Sequence, residues 1–238
     1  GQEGAPVAER YCAAAELLAV IHERSWQREM PVTDGIAHHL PPYDRQALGI
    51  ETELMLDWYV PFAIGRPASK AERREFLACW SSLFDRLEHA EQSIVLRDFH
   101  SPNIIWRDDR KGLDRLGIID FQDAVFGPAA YDVAALALDA RVTISPDLEG
   151  AIVNAYCTAR GAGFDRTGFE ESYAATAAQR NSKLLGTFVR LDRRDGKPAY
   201  LKHLPRIRNY LRRALRHPSL AELDEFYRRA GFLSEGEE

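Results

Sequence analysis

The chain has 238 residues, 45% of them hydrophobic and 28% charged, and a net charge of −5 at pH 7. That balance belongs to a soluble globular protein long enough to bury a sizeable core, and it gives no reason to expect nucleic acid as the main partner. No apolar run approaches the length of a membrane span and no secretory signal is visible. Cys12, Cys79 and Cys157 are scattered singly. Such a set argues against a disulfide framework or a zinc site, and for buried inert thiols in a reducing, cytoplasmic compartment. The chain opens on Gly1 rather than Met, as a piece of a longer protein would.

Residues 8–23 carry Tyr11, Ala14, Leu18 and Ile21 at helical spacing. Residues 30–42 read as a loop holding the pair His38-His39, whose side chains diverge on any regular element and do not make a metal site. A second helix is predicted over 43–59, with Ala47, Ile50, Leu54 and Trp58 on one face and Glu51, Glu53 and Asp57 on a solvated one. Its end, Asp57-Trp58-Tyr59, offers an aromatic surface for a sugar, against the plainer meaning of a core stripe. Ser69 with Glu72 forms a capping box opening a third helix with Phe76, Trp80, Leu83, Phe84 and Leu87 inside. A strand follows at 93–96. The turn Asp108-Asp109-Arg110-Lys111-Gly112 predicts a hairpin between the runs 103–106 and 116–120. After Gly127-Pro128 the chain reads as helix throughout. Residues 131–140 are apolar, Ser145-Pro146 caps a helix reaching Arg160, a long helix covers 167–188, and Ser219 with Glu222 forms a second capping box. An acidic tail, 234–238, is expected to fray. One mostly helical domain spanning 1–238, with a small β insert, is the expectation.

The chemistry concentrates in Leu96-Arg97-Asp98-Phe99-His100-Ser101-Pro102-Asn103 and Ile119-Asp120-Phe121-Gln122-Asp123. Phosphoryl transfer to an alcohol needs a carboxylate that orients the hydroxyl and accepts its proton, and oxygen ligands that hold magnesium against nucleotide phosphates. Asp98 suits the first role. Asn103 and Asp120 suit the second, because hard Mg²⁺ takes oxygen ligands and keeps several waters. The spacing Asp-x-x-x-x-Asn, then a strand ending in Asp-Phe, matches the catalytic half of kinase-like phosphotransferases. Arg97 and His100 are candidates for shaping the loop or touching substrate, Gln122 and Asp123 for binding sugar hydroxyls, and Trp58 for stacking on a sugar face. Arg180 and Lys183 share a helical face. Their two meanings are contact with a substrate carboxylate and, more commonly, a solvated basic stripe. The cluster Arg206, Arg208, Arg212, Arg213 and Arg216 has Tyr210 as its one interleaved aromatic, too little for a nucleic-acid surface.

These motifs, together with Gly127-Pro128-Ala129-Ala130-Tyr131-Asp132-Val133-Ala134, resemble the aminoglycoside phosphotransferase and choline kinase superfamily. Arg-Asp-Phe-His before the Asn, Asp-Phe-Gln-Asp-Ala, and the stretches 179–186 and 194–198 are similar to those of bacterial anomeric N-acetylmuramate/N-acetylglucosamine kinases. The resemblance implies a C-terminal lobe of the protein-kinase-like fold, α+β and mostly helical, with a small β-hairpin at the active site. It implies ATP as phosphate donor, Mg²⁺, and a small-molecule acceptor in cell-wall recycling. It also implies that Asp132 braces the loop amides, and that an N-terminal nucleotide lobe is absent from this chain. Aminoglycoside, choline or homoserine kinase activity, or a non-catalytic binding domain, are the alternatives. The triplet Leu96-Arg97-Asp98 departs from the His-Gly-Asp of antibiotic kinases. The motifs do not decide between ATP and GTP, nor the oligomeric state.

Overall fold

A computed structural model describes residues 6–233; the tail at 234–238 lies outside them. Among the described residues helices dominate, and the strands pair in twos, in three antiparallel sheets. This is the mostly helical α+β architecture expected. The residues separate into two compact units, one built from the chain up to Tyr43 with Ala90–Tyr173, the other from Asp44–His89 with Ala174 onward.

In the first unit, α1 (Ala8–Glu23) buries Tyr11, Ala14, Ala15, Leu18, Ala19 and His22. The stripe thus ends on His22 rather than on Ile21. His22 Nδ1 lies 2.9 Å from Tyr156 Oη, which accepts from Arg160 Nη1 at 2.9 Å, and Arg160 grips Glu91 with two bonds of 2.7 and 2.9 Å. Arginine can only donate, so the Tyr156 oxygen is the acceptor in its bond with Arg160. Burial and the Arg160 charge hold the His22 ring down at about 3, uncharged at neutral pH.

Residues 30–42, expected as a loop, contain a hairpin of β1 (Glu29–Thr33) and β2 (Ile36–His39). The overlooked signal is Asp34-Gly35, with Gly35 at φ +76° where a tight turn needs it. Every residue of β2 is exposed, so no apolar alternation announced the strand. β3 (Gln92–Val95) pairs with β6 (Val125–Pro128), a strand the Gly127-Pro128 pair disguised as a break. Gly127 is required there: an added Cβ would lie 2.8 Å from Tyr43 Cβ. The predicted hairpin forms from β4 (Ile104–Trp106) and β5 (Leu116–Ile118). α5 (Ala130–Ala137) is buried at every position, as a helix apolar all round must be. α6 (Pro146–Ala159) starts where Ser145 accepts from the amide of Leu148. Cys157 is buried, whereas Cys12 and Cys79 are half-buried.

In the second unit, α2 (Arg45–Leu54), capped by Asp44, runs through a π-helical turn at Met55–Tyr59 into α3 (Val60–Ile64). The buried face is Leu48, Thr52, Met55, Leu56 and Tyr59, not the predicted Ala47–Trp58 stripe; Ile50 is 62% exposed. Two permissible apolar stripes run along this helix, and packing against neighbours selected the other. Glu51 is not on a solvated face either, because it pairs with Lys183 at 2.8 Å. The Ser69/Glu72 capping box opens α4 (Lys70–His89) as expected, with bonds of 2.7 and 3.2 Å. α7 (Arg166–Arg193) is longer than predicted and begins in the first unit. Within the second, Gly186 faces α2, where a Cβ would come within 2.2 Å of the Leu54 backbone. α8 (Leu204–Ala214) and α9 (Ala221–Ala230) follow. The expected second capping box does not form: His217 Nδ1 takes both the hydroxyl and the amide of Ser219 and caps the start of a short 3₁₀ turn, Pro218–Leu220, instead.

Candidate phosphotransfer site

β3 delivers the chain to a loop that is fastened at both ends by one helix and the turn after it. Asp132 on α5 is fully buried, and its carboxylate accepts from the amides of Leu96 at 2.6 Å and Arg97 at 3.0 Å. Seven residues on, the buried Asp139 accepts from the Ser101 amide at 3.1 Å and the Ser101 hydroxyl at 2.6 Å. Its other oxygen takes the Arg141 amide at 2.8 Å. Buried carboxylates that accept amide hydrogens form strong charge-assisted bonds, so the backbone on either side of Asp98 has little freedom. His100 is buried and its Nε2 lies 2.6 Å from Arg141 Nη1. Since Arg141 must donate, Nε2 holds a lone pair, and His100 is the neutral tautomer protonated on Nδ1.

The loop then meets the hairpin. The amide of Ile119 donates to Asn103 O at 3.1 Å, extending the β4–β5 ladder by one rung and carrying Asp120 across to Asn103. Asn103 Nδ2 donates to the backbone carbonyl of Asp98 at 3.0 Å and to Asp120 Oδ2 at 3.2 Å. Those two bonds use both hydrogens of the amide nitrogen and leave Oδ1 out of either. Asp120 Oδ1 takes Gln122 Nε2 at 2.8 Å. Asn103 Oδ1 and the Asp120 carboxylate are the hard oxygen donors of this cluster, the ligand type that magnesium takes alongside water and phosphate. Asp98 is exposed, and its backbone carbonyl is the partner of Asn103 Nδ2.

Arg97 at φ 66° and Asp120 at φ 62° are the two non-glycine residues with positive φ among the described residues. Left-handed backbone costs a side-chain-bearing residue about 1–2 kcal/mol. Such strain persists only where surroundings over-determine it, and it gathers at functional sites. Here Asp132 fixes the Arg97 amide, and the hairpin with Gln122 fixes Asp120.

Of the residues singled out in the sequence, Asp98, Asn103, Asp120 and Gln122 come together, and Asp132 stands at the base of the loop. Arg97 is half-buried, its guanidinium 5.8 Å from the centre of the Tyr43 ring. His100 faces inward to Arg141, and Asp123 is exposed in the Asp120 loop. Trp58 belongs to the second unit, on the π-helical turn, and is half-buried. Asp139 and Arg141 were not anticipated. Their one signal is a carboxylate at the end of an otherwise apolar run. No set of three or more His, Cys, Asp or Glu side chains suited to a metal occurs among the described residues. No described helix is long and apolar enough to cross a membrane.

The model of the Phosphotransferase enzyme family (APH) matches residues 1–171. An N-acetylmuramate/N-acetylglucosamine kinase from Caulobacter vibrioides is 36% identical over 231 residues, which is 96% of this chain and 61% of that protein. A kinase of the same name from Pseudomonas putida is 34% identical over 192 residues, 78% of this chain and 55% of that one. The chain thus spans between 55% and 61% of the length of these two relatives. Among solved structures, a choline/ethanolamine kinase family protein from Mesorhizobium loti aligns with a TM-score of 0.56 at 11% identity, covering 95% of this chain and 71% of its own. A Plasmodium vivax ethanolamine kinase aligns with a TM-score of 0.57 at 13% identity, covering 93% and 65%. At that identity the two structures speak for a shared kinase-like fold alone.

Proposed function

The chain belongs to the phosphotransferase enzyme family, and from that premise we propose that the full-length protein is an ATP-dependent kinase of an amino sugar. Its acceptors are N-acetylmuramate and N-acetylglucosamine, phosphorylated at the anomeric hydroxyl in cytoplasmic cell-wall recycling. The observation that carries this reading is Asn103, whose amide nitrogen ties the Asp98 carbonyl to the Asp120 carboxylate. The relatives named above, similar over most of this chain, supply the acceptor class.

Asp98 orients the acceptor hydroxyl and takes its proton as the new O–P bond forms and the bond from the γ-phosphorus to the bridging oxygen breaks, releasing ADP. The transition state is loose, so orientation is the larger part of that service. Asn103 and Asp120 would hold magnesium, which would supply positive charge against the phosphate oxygens. Gln122 fixes the rotamer of Asp120, and Asp132 and Asp139 hold the loop so that Asp98 needs no reorganisation on binding. Ile105, Ile119 and Phe121, exposed at 46%, 47% and 55%, offer apolar surface for a nucleotide base.

The test is phosphate transfer from labelled ATP to a panel of sugars by the full-length protein and its Asp98→Ala variant. A fall of about 10²–10⁴-fold is expected, the size of a lost general base. Transfer at the wild-type rate overturns the assignment.

A further inference from the structure

His100 lies between the two residues whose spacing phosphotransfer depends on. Its amide donates to the Asp98 carbonyl at 3.0 Å, and its own carbonyl accepts from the Asn103 amide at 2.9 Å. The backbone path from Asp98 to Asn103 is therefore bonded through this one residue. His100 is 4% exposed, and its Nε2 lies 2.6 Å from Arg141 Nη1. Arg141 stands in the turn after α5 and is exposed, outside every motif read from the sequence.

Arg141 is held at both ends. Its backbone amide donates to Asp139 Oδ1 at 2.8 Å, while Asp139 Oδ2 takes the amide and hydroxyl of Ser101. Its guanidinium goes to the imidazole. Ser101 follows His100 in the chain, so Arg141, Asp139, Ser101 and His100 close a ring, and all four belong to the first unit. A guanidinium keeps its protons, so the bond needs the lone pair of a neutral imidazole, and the charged donor makes it a strong one. Losing that donor takes a charged hydrogen bond from a buried acceptor, and the loop relaxes toward water to replace it.

We propose that Arg141 is a positioning residue for phosphotransfer: through the His100 ring it fixes the distance between Asp98 and Asn103. The inference rests on the kinase reading above and adds to it a residue that no sequence motif marks. In this role Arg141 acts on turnover and leaves the binding of both substrates unchanged.

Two variants of the full-length protein test this. Arg141→Met keeps the stem and loses the donors, whereas Arg141→Lys keeps a charged donor. With rates normalised to the folded fraction from circular dichroism, Arg141→Met should lower kcat by about 10- to 100-fold and leave KM for ATP and sugar within about threefold, the scale of one hydrogen bond to a charged group. Arg141→Lys should recover most of that loss. A wild-type kcat for Arg141→Met, a loss carried by KM, or a lysine variant no better than the methionine one overturns the proposal. Hydrogen exchange gives a readout apart from activity: the Asn103 amide should exchange about tenfold faster in Arg141→Met, while the amides of the β4–β5 ladder hold. If the wild type phosphorylates no sugar, the kinase reading fails and the Asn103 amide decides the tether alone. Faster exchange there upholds it, and equal exchange overturns it.

Discussion

Asp132 and Asp139 lie seven positions apart and grip the two ends of one loop, Asp132 through the amides of Leu96 and Arg97, Asp139 through the amide and hydroxyl of Ser101. Both are fully buried. Asp98 sits between the grips and is exposed. The arrangement separates the group that does chemistry from the groups that hold it still.

Asp139→Ala should therefore lower kcat more than it raises KM for ATP, because it frees the loop without removing a ligand. Leaving the Ser101 amide unsatisfied should also cost about 1–3 kcal/mol of stability. Asp98→Ala, at an exposed position, should change stability by no more than about 0.5 kcal/mol. Thermal unfolding beside steady-state kinetics on the full-length protein separates the two patterns. An Asp139→Ala enzyme with wild-type kcat would show that the second grip is dispensable.

Two glycines make a matched pair. At Gly186 a methyl group would meet the Leu54 carbonyl carbon and oxygen at 2.2 Å, backbone that cannot step aside. At Gly150, inside α6, nothing lies within 4 Å of the added carbon. Gly186→Ala should cost at least about 3 kcal/mol, at or beyond the upper end for overpacking. Gly150→Ala should gain about 0.5–1 kcal/mol, because alanine gives up less chain entropy in a helix. Denaturant midpoints measure both, and a tolerated Gly186→Ala would mean that α2 and α7 can slide apart.

His22 gives stability a pH dependence of known sign. Its folded value of about 3 lies below the usual histidine value, because burial and Arg160 disfavour the charged ring. Between about pH 6.5 and 3 the unfolded chain binds a proton that the folded chain refuses. The contribution is thus complete above about 6.5 and is lost as pH falls, with a total on the order of 3–5 kcal/mol. His22→Gln removes that titration. Chemical unfolding at pH 7.5, 6, 5 and 4.5 should show the wild type losing stability faster than the variant as pH falls. Parallel curves would mean that the ring charges freely in place.

What the sequence made legible follows from how local each signal is. The Asp98, Asn103, Asp120 spacing needed only a short loop and one local hairpin to close, and both are written in contiguous residues. The Ser69/Glu72 box and the Ser145 cap read correctly for the same reason. The β1–β2 ribbon was missed because neither strand buries a face, so no alternation betrays it. The Ser219 box failed because His217, two residues earlier, competes for the same donors. The stripe on α2 was misread because two faces were equally apolar and only packing chooses. Asp139 was invisible because its partner, Ser101, lies 38 positions away. Arg180 looked solvated, though it is buried, because spacing on one helix says nothing of what covers it.

The double fastening to α5 and its following turn also sets a timescale. Amide protons at Leu96, Arg97 and Ser101 can reach solvent only when their carboxylate partners let go, and those partners sit on or beside a helix buried at every position. Hydrogen exchange at these three amides should then follow the opening of the first unit's core rather than the flutter of a surface loop. A segment that looks, by its exposure, like the softest part of the molecule would be among the last to be labelled.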